Sequence, residues 1–392
     1  MTIQRPMVTQ FPENSETPLT EMRSWVTPNA FFFVRNHFDE PDLLTARWKL
    51  EIAGCVRKPM TLSWNELAAL PERTVFATLE CAGNGRSFLR RPEPGVQWGA
   101  GAVGHAEWTG VPLASVLEMC APMSDVLEVL CIGADSGTEP DHPEVMAFAR
   151  SLPLAKALHL DTLLAFRMNG ELLTRSHGAP VRLIVPGWYG VCSVKWIERL
   201  EVIDREYQGY FQSEKYTIRK REGPHERKAR LTRMAVKSEI IRPRDGDELL
   251  PGVNRLSGIA WSGEEQVAQV EVSTDGGLRW GRASLVGPQA PYSWTLWEYL
   301  WKVERSGDYQ LLCRATSASG ETQPAEHDPL CGGYRINFVR QRPVRVVPRG
   351  RSEETWGDAT SRRQELVLQA EVYAHQRLDI DMASEFMDGG GI

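Results

Sequence analysis

The decapeptide Thr78-Leu-Glu-Cys-Ala-Gly-Asn-Gly-Arg-Ser87 places one thiol, Cys81, between a strand pattern and a turn pattern. The preceding run, Thr74-Val-Phe-Ala-Thr-Leu-Glu80, is rich in β-branched and apolar residues, which predicts a strand. The residues after the thiol are typical of a tight turn, and glycine there lets a ligand approach the backbone closely. These residues alone leave two interpretations of Cys81, a ligand-facing thiol or a buried structural cysteine.

Other motifs accompany this stretch in a definite order along the chain. They are Phe33-Val-Arg-Asn-His37, Gly95-Val-Gln-Trp98, Gly110-Val-Pro-Leu113, His177-Gly-Ala-Pro-Val-Arg-Leu-Ile-Val-Pro-Gly187, Ser193-Val-Lys-Trp196, Gly258-Ile-Ala-Trp-Ser-Gly263 and Val270-Glu-Val-Ser-Thr-Asp-Gly-Gly277. With the cysteine motif, this ordered set resembles the sulfite oxidase family, molybdopterin enzymes in which one cysteine thiolate ligates molybdenum. The resemblance extends over about residues 30 to 340.

The fold class that follows is α+β. The resemblance implies a mixed α/β sulfite-oxidase-type molybdopterin domain followed by an immunoglobulin-like β-sandwich. Short alternating strands with frequent turn signals from Val236 to Val339 also favour a sandwich. We predict an N-terminal arm at 1–28, a molybdopterin-binding catalytic domain at 29–214, a linker at 215–235, a dimerisation domain at 236–342 and a tail at 343–392. Within the tail, Arg362 to Ala374 has the spacing of one amphipathic helix.

Composition restricts the class of protein. The 392 residues suit two domains, and a net charge of −6 argues against general nucleic-acid binding. No apolar run reaches the roughly 20 residues of a membrane span, so no membrane association is predicted. No export signal is visible, which predicts a cytoplasmic location, or a periplasmic one if a signal has been removed. The seven scattered cysteines form no C-x-x-C pair, a pattern that suits reduced thiols and offers no covalent haem site.

The resemblance implies a catalytic set around the metal. Cys81 would ligate molybdenum, the cations Arg35 and Arg86 would bind the substrate oxyanion, and Trp98 and Tyr207 would shape the pocket. Positive charge beside Cys81 would also favour its thiolate.

A second group would hold the anionic cofactor. His177, Arg182, Ser193 and Lys195 supply donors and positive charge suited to a terminal phosphate. The resemblance adds three residues, namely Cys81, His37 against the pterin phosphate or dithiolene, and Asp135 as acceptor for pterin N–H groups. Asp135 is predicted to lie in an exposed turn, Gly133 to Gly137. No Walker loop or G-x-G-x-x-G fingerprint supports an ATP or NAD site.

The predicted function is oxidation of sulfite to sulfate by a homodimer that carries the molybdenum cofactor and no haem or flavin. Electrons would pass to an external acceptor such as oxygen or a cytochrome. The alternatives are a related molybdenum enzyme that acts on another oxyanion, such as nitrate, or on a sulfoxide, a non-catalytic interaction protein, and a cysteine hydrolase using Cys81.

Three features bear on substrate and partners. Many relatives have Asn-Arg-Arg after the cysteine, where this chain has Asn84-Gly-Arg86, and Pro329-Leu-Cys-Gly-Gly333 lacks the arginine that sulfite oxidases carry in the aligned loop. The charged stretch from Lys215 to Arg233 is either a solvated linker or a surface for an acidic redox partner. Five tryptophans between residues 261 and 301 exceed what one sandwich core needs, and some of them would serve a dimer contact.

Overall fold

A computed structural model of the protein describes residues 4–348. The predicted helix from Arg362 to Ala374 lies outside the described residues. Among those described, no helix combines the length and apolar character that crossing a membrane requires.

The first domain and the hairpin that follows it contain fifteen of the described strands and three α-helices. In chain order they are β1 Met7–Thr9, β2 Asn14–Ser15, β3 Val34–Arg35, β4 Lys49–Gly54, β5 Met60–Ser63, α1 Trp64–Ala68, β6 Arg73–Glu80, β7 Val103–Pro112, α2 Leu113–Cys120, β8 Glu128–Glu139, β9 His142–Pro153, α3 Leu154–Ala157, β10 Leu163–Met168, β11 Glu171–Leu172, β12 Arg182–Ile184, β13 Ile197–Ile203, β14 Thr217–Glu222 and β15 His225–Arg230. Short 3₁₀ turns and one π-helical turn, Tyr210–Glu214, connect them.

Two five-stranded sheets form the body of this domain. One has the order β11-β10-β7-β6 with β12 paired to β10, and the other has the order β5-β4-β13-β8-β9. Every residue of β7 is buried, because this strand lies between β6 and β10 in the sheet with both faces covered. Helix α1 begins with a capping box, in which Ser63 accepts from the Glu66 backbone and the Glu66 side chain accepts from the Ser63 backbone.

The predicted strand before Cys81 is confirmed as β6, which pairs antiparallel with β7 along its whole length. Cys81 N donates to Ala102 O at 2.9 Å, and Asn84 N donates to Cys81 O at 2.9 Å, so the thiol sits at the point where the strand turns. Gly85 has a φ of 98°, a conformation that glycine adopts without steric cost.

The second domain is a β-sandwich. Its strands are β16 Lys237–Arg242, β17 Glu248–Leu249, β18 Gly252–Trp261, β19 Val267–Ser273, β20 Gly281–Arg282, β21 Ser284–Val286, β22 Thr295–Val303, β23 Gly307–Ser317 and β24 Arg342–Val346. They form one sheet of order β16-β18-β22-β21 and another of order β17-β24-β23-β19-β20. Between the sheets lies a separate core that includes Val236, Leu256, Val270, Trp297 and Leu311.

Three local predictions differ from the structure. The stretch predicted as a linker contains an antiparallel hairpin, β14–β15, whose six cross-strand pairs run from Thr217 opposite Arg230 to Glu222 opposite His225. The predicted turn at Asp135 is part of strand β8, where an irregular register against β9 accommodates its glycines. The apolar run at residues 31–34 has the composition of a strand, but the chain forms a 3₁₀ turn, Asn29–Phe31, followed by the two-residue β3.

The tryptophans between residues 261 and 301 pack mainly against other residues of the same chain. Trp261 and Trp294 belong to the core of the first domain, and they join the two domains. Trp294 Nε1 donates to Trp25 O at 2.8 Å, and Trp25 Nε1 donates to Trp294 O at 3.2 Å. Domain packing therefore accounts for residues that the sequence alone suggested for a dimer contact.

Candidate active site

A cleft of about 650 Å³, measured with the space at its mouth, opens in the first domain. Its polar lining comes from segments far apart in sequence: Arg35, His37, Cys81, Asp135, Ser176, His177, Arg182, Ser193, Lys195 and Tyr216. Aromatic and aliphatic side chains, among them Phe32, Phe33, Phe148 and Trp196, complete the wall. Eight of the eleven residues predicted for the site thus line one cavity.

Arg35 and Cys81 both line this cavity. Burial acts to lower the pKa of Arg35, but electrostatic attraction and a hydrogen bond with Tyr216 outweigh burial and raise it, so the guanidinium stays charged. Arg35 Nη1 donates to Asn36 O.

His37 contacts Tyr216. Its Nε2 is 2.6 Å from the Tyr216 hydroxyl, and its ring stacks on Phe148 with centroids 4.6 Å apart. Burial, with help from Arg35 and Lys195, lowers the pKa of His37 well below its ordinary value. His37 is therefore a neutral group that orients Tyr216.

The remaining cavity cations are held by backbone carbonyls. Arg182 donates through Nη1 to His177 O at 3.1 Å and through Nη2 to Ser193 O at 3.2 Å, and burial lowers its pKa to about 9. Lys195 Nζ donates to Ser176 O at 2.8 Å, and burial lowers its pKa. His177 is neutral, since burial, Lys195 and Arg182 lower its pKa to about 3.

Two buried polar atoms of the lining lack a partner among the described residues, and they test whether a cofactor fits. Arg182 Nε is a donor without an acceptor, and Asp135 Oδ1 is an acceptor without a donor. Burial raises the pKa of Asp135, against the attraction of Lys195. Buried polar groups are nearly always hydrogen-bonded, so both atoms point to a ligand with a negatively charged group and an N–H group. A pterin phosphate has both, and the residues fit it.

Arg86 does not reach the cavity lining. Its Nε and Nη2 donate to Gly333 O at 3.0 and 2.8 Å, and Nη1 donates to Val96 O at 2.8 Å. Gly83 and Gly95 leave room for the guanidinium, because a Cβ on either would lie about 2.5 Å from its nitrogens. The prediction of Arg86 as an oxyanion ligand is corrected, since its fork is occupied by carbonyls of both domains.

Trp98 and Tyr207 are also outside the lining. Trp98 is fully buried in the core beside Cys81 and supports the turn through its carbonyl, which accepts from Ser87 N at 3.0 Å. Tyr207 packs near Leu130 and Ile203, and its backbone N–H donates to Glu128. Tyr216, and not Tyr207, lines the cavity.

Sequence reasoning missed two residues besides Tyr216. Arg150 is fully buried and donates to Phe211 O and, at 2.8 Å, to Leu231 O, which ties the Tyr210–Glu214 turn to the segment after the hairpin. Lys237, from the second domain, donates to Glu80, the residue before the thiol, at 3.2 Å. In the sequence, the only sign that Arg150 or Lys237 has a special role is a charged residue within an apolar run.

Comparison with known proteins agrees with this geometry. Residues 37–211 match the family described as oxidoreductase molybdopterin binding domain, and residues 228–332 match the Mo-co oxidoreductase dimerisation domain. Sulfite oxidase of Gallus gallus is 35% identical over an alignment of 348 residues, and the match covers 82% of this chain and 73% of that protein. The chain belongs to the sulfite oxidase family.

Two further relatives show the breadth of this family. The solved structure of the sulfane dehydrogenase SoxCD from Paracoccus pantotrophus superimposes with a TM-score of 0.74 at 29% identity, covering 86% of this chain and 87% of that one. A nitrate reductase [NADH] of Ulva prolifera is 31% identical over 80% of this chain and 40% of its own length. The chain is therefore a molybdenum-cofactor oxidoreductase with a dimerisation domain, as predicted.

Proposed function

We propose that this protein oxidises sulfite to sulfate and passes the two electrons released to an external acceptor. The observation that carries the proposal is that the Cys81 thiol and the charged Arg35 guanidinium line one cavity. The reaction adds one oxygen, originally from water, to sulfite and releases two protons. When bound, the molybdenum cofactor supplies oxo transfer and takes up the electron pair.

The residues of the chain would share the work as follows. Cys81 holds the metal through its thiolate, and Arg35 attracts the anion and offsets its charge during oxidation. Tyr216, fixed by neutral His37, faces Arg35 and keeps its guanidinium directed at the substrate. The aromatic wall excludes water from the reacting atoms.

Cofactor binding would fall to the other polar side of the cleft. Arg182, Lys195 and Ser193 offer donors to a terminal phosphate, and Asp135 offers a carboxylate oxygen to a pterin N–H. The seven free thiols fit the proposed reducing, cytoplasmic location.

The experiment is metal analysis and sulfite turnover of the wild type and Cys81→Ser. We expect about one molybdenum per chain in the wild type, and a folded variant that has lost sulfite oxidation. Cys55→Ser, a half-buried thiol outside the cleft, is the matched control and should keep both properties. Wild-type turnover by Cys81→Ser would contradict the proposal.

A second candidate is oxidation of a larger or less charged sulfur compound, such as the sulfane sulfur named for the SoxCD structure. It is favoured by the capture of Arg86 by Gly333 O, which leaves Arg35 as the cation beside the thiol. Turnover of sulfite, a persulfide, nitrate and a sulfoxide, each over a concentration series, separates the candidates by kcat/KM.

A further inference from the structure

The β14–β15 hairpin is an exposed ribbon that begins at the wall of the cleft. Tyr216, whose hydroxyl touches His37, directly precedes β14. Only the base of the hairpin is buried, through Ile218, whereas residues 219–228 are exposed on both faces. A two-stranded ribbon of this kind is marginal in water unless something packs on it.

The hairpin also concentrates positive charge. Thr217–Glu222 and His225–Arg230 contain six lysines and arginines against two glutamates, a net of +4, in a chain whose net charge is −6. Glu226 and Glu222 pair with Arg219 at 3.6 Å and Arg227 at 2.9 Å. Three of the cations have no ion pair among the described residues: Lys220, Arg221 and Lys228.

The strand register brings like charges together. Arg219 lies directly opposite Lys228, and Lys220 lies directly opposite Arg227. Like charges at directly opposed positions destabilise a sheet, so this arrangement works against the stability of the free hairpin. An anionic surface bound to the ribbon would remove that repulsion.

We infer that the hairpin is the docking surface for an acidic protein that accepts the electrons of the reaction. The inference rests on the proposed function, because that reaction requires an acceptor. The location of the hairpin favours an electron acceptor as the partner. The ribbon begins directly after Tyr216, which lines the cleft, and the ring centroids of Tyr216 and Tyr334 are 5.0 Å apart. Charge complementarity steers such a partner to the site.

The experiment uses the cofactor-loaded full chain and two forms of one probe, cytochrome c with native lysines and cytochrome c made acidic by succinylation. The variant is Arg219→Gln/Lys228→Gln. The matched control is Arg57→Gln/Lys58→Gln, which removes two exposed cations just after β4. In its sheet, β4 and β9 lie near opposite edges. Binding of each cytochrome and its rate of reduction are measured at low and high salt.

We expect the wild type to prefer the acidic cytochrome and to lose that preference at high salt. The hairpin variant should lose about tenfold in kcat/KM for the acidic form and little for the native form. Its melting temperature should be unchanged or higher, because the repulsion is gone.

Three results would overturn the inference. The first is an equal loss of kcat/KM with both cytochromes, and the second is the same loss in the Arg57/Lys58 control. The third is conversion of the hairpin variant to monomers in light scattering, which would make a second copy the occupant. Failure of the proposed function appears separately, as absence of enzyme reduction by sulfite in stopped flow without any acceptor. Binding of the acidic cytochrome is measured independently of turnover.

Discussion

Replacing Lys237 with methionine should destabilise the protein strongly and loosen the turn that carries Cys81. Lys237 Nζ donates to Glu80 Oε1 and to Asn84 O, each at 3.2 Å, and both charged side chains are only 3% exposed. Glu80 also accepts from Trp261 Nε1 at 3.0 Å and from Asn84 Nδ2 at 3.1 Å. Lys237 and Trp261 thus join the second domain to the residues on either side of the thiol.

The magnitude follows from the charge that remains. Without Lys237, the Glu80 carboxylate stays buried with two neutral donors and no cation. Breaking a buried pair from one side typically costs about 3–5 kcal/mol, because the remaining charge is uncompensated. Removing both charges in Lys237→Met/Glu80→Gln should restore at least half of that loss.

Urea unfolding gives the free energies, and molybdenum content reports the geometry of the turn. Lys302→Met is the control, since its ion pair with Glu304 is exposed and should contribute less than about 1 kcal/mol. We expect Lys237→Met to retain less molybdenum than Lys302→Met. An equal unfolding free energy for Lys237→Met and the wild type, or no recovery in the double variant, would refute the reasoning.

Three further predictions concern single residues. Arg35→Met should raise KM for sulfite about 10- to 100-fold, from a lost charge-assisted contact of roughly 1.5–3 kcal/mol. Arg86→Met should lower the unfolding free energy while leaving KM for sulfite within about threefold, because that guanidinium binds carbonyls. Steady-state kinetics and urea unfolding test both variants. A raised KM in Arg86→Met together with a lowered unfolding free energy in Arg35→Met would contradict us. Arg182→Met should lower cofactor retention after gel filtration, with retention at the wild-type level as the contrary result. Burial lowers the pKa of His105 to about 3 from its ordinary 6.5, so its stabilisation is complete above pH 6.5 and is lost as pH falls towards 3. When the pH is lowered from about 7 to 4.5, the unfolding free energy of His105→Gln should therefore fall by about 2–3 kcal/mol less than that of the wild type. Equal decreases for the two proteins in urea titrations would disprove this.

Local sequence determined the strand and turn around Cys81, the capping box at Ser63 and the change to alternating strands in the second half. These features depend on residue periodicity and turn chemistry over a few positions, which are visible in the chain itself. The resemblance to the family and the donor chemistry of His177 to Lys195 together pointed to eight of the cavity residues.

The tertiary structure alone decided which charged and aromatic groups face the cleft. Arg86 and Arg35 look equivalent in sequence, but the carbonyl of Gly333, 247 residues away, captures the first. Tyr207 and Tyr216 are both tyrosines near the end of the domain, but only Tyr216 lines the cleft, where its hydroxyl contacts His37. Such choices arise from long-range packing and burial, to which neither periodicity nor composition is sensitive.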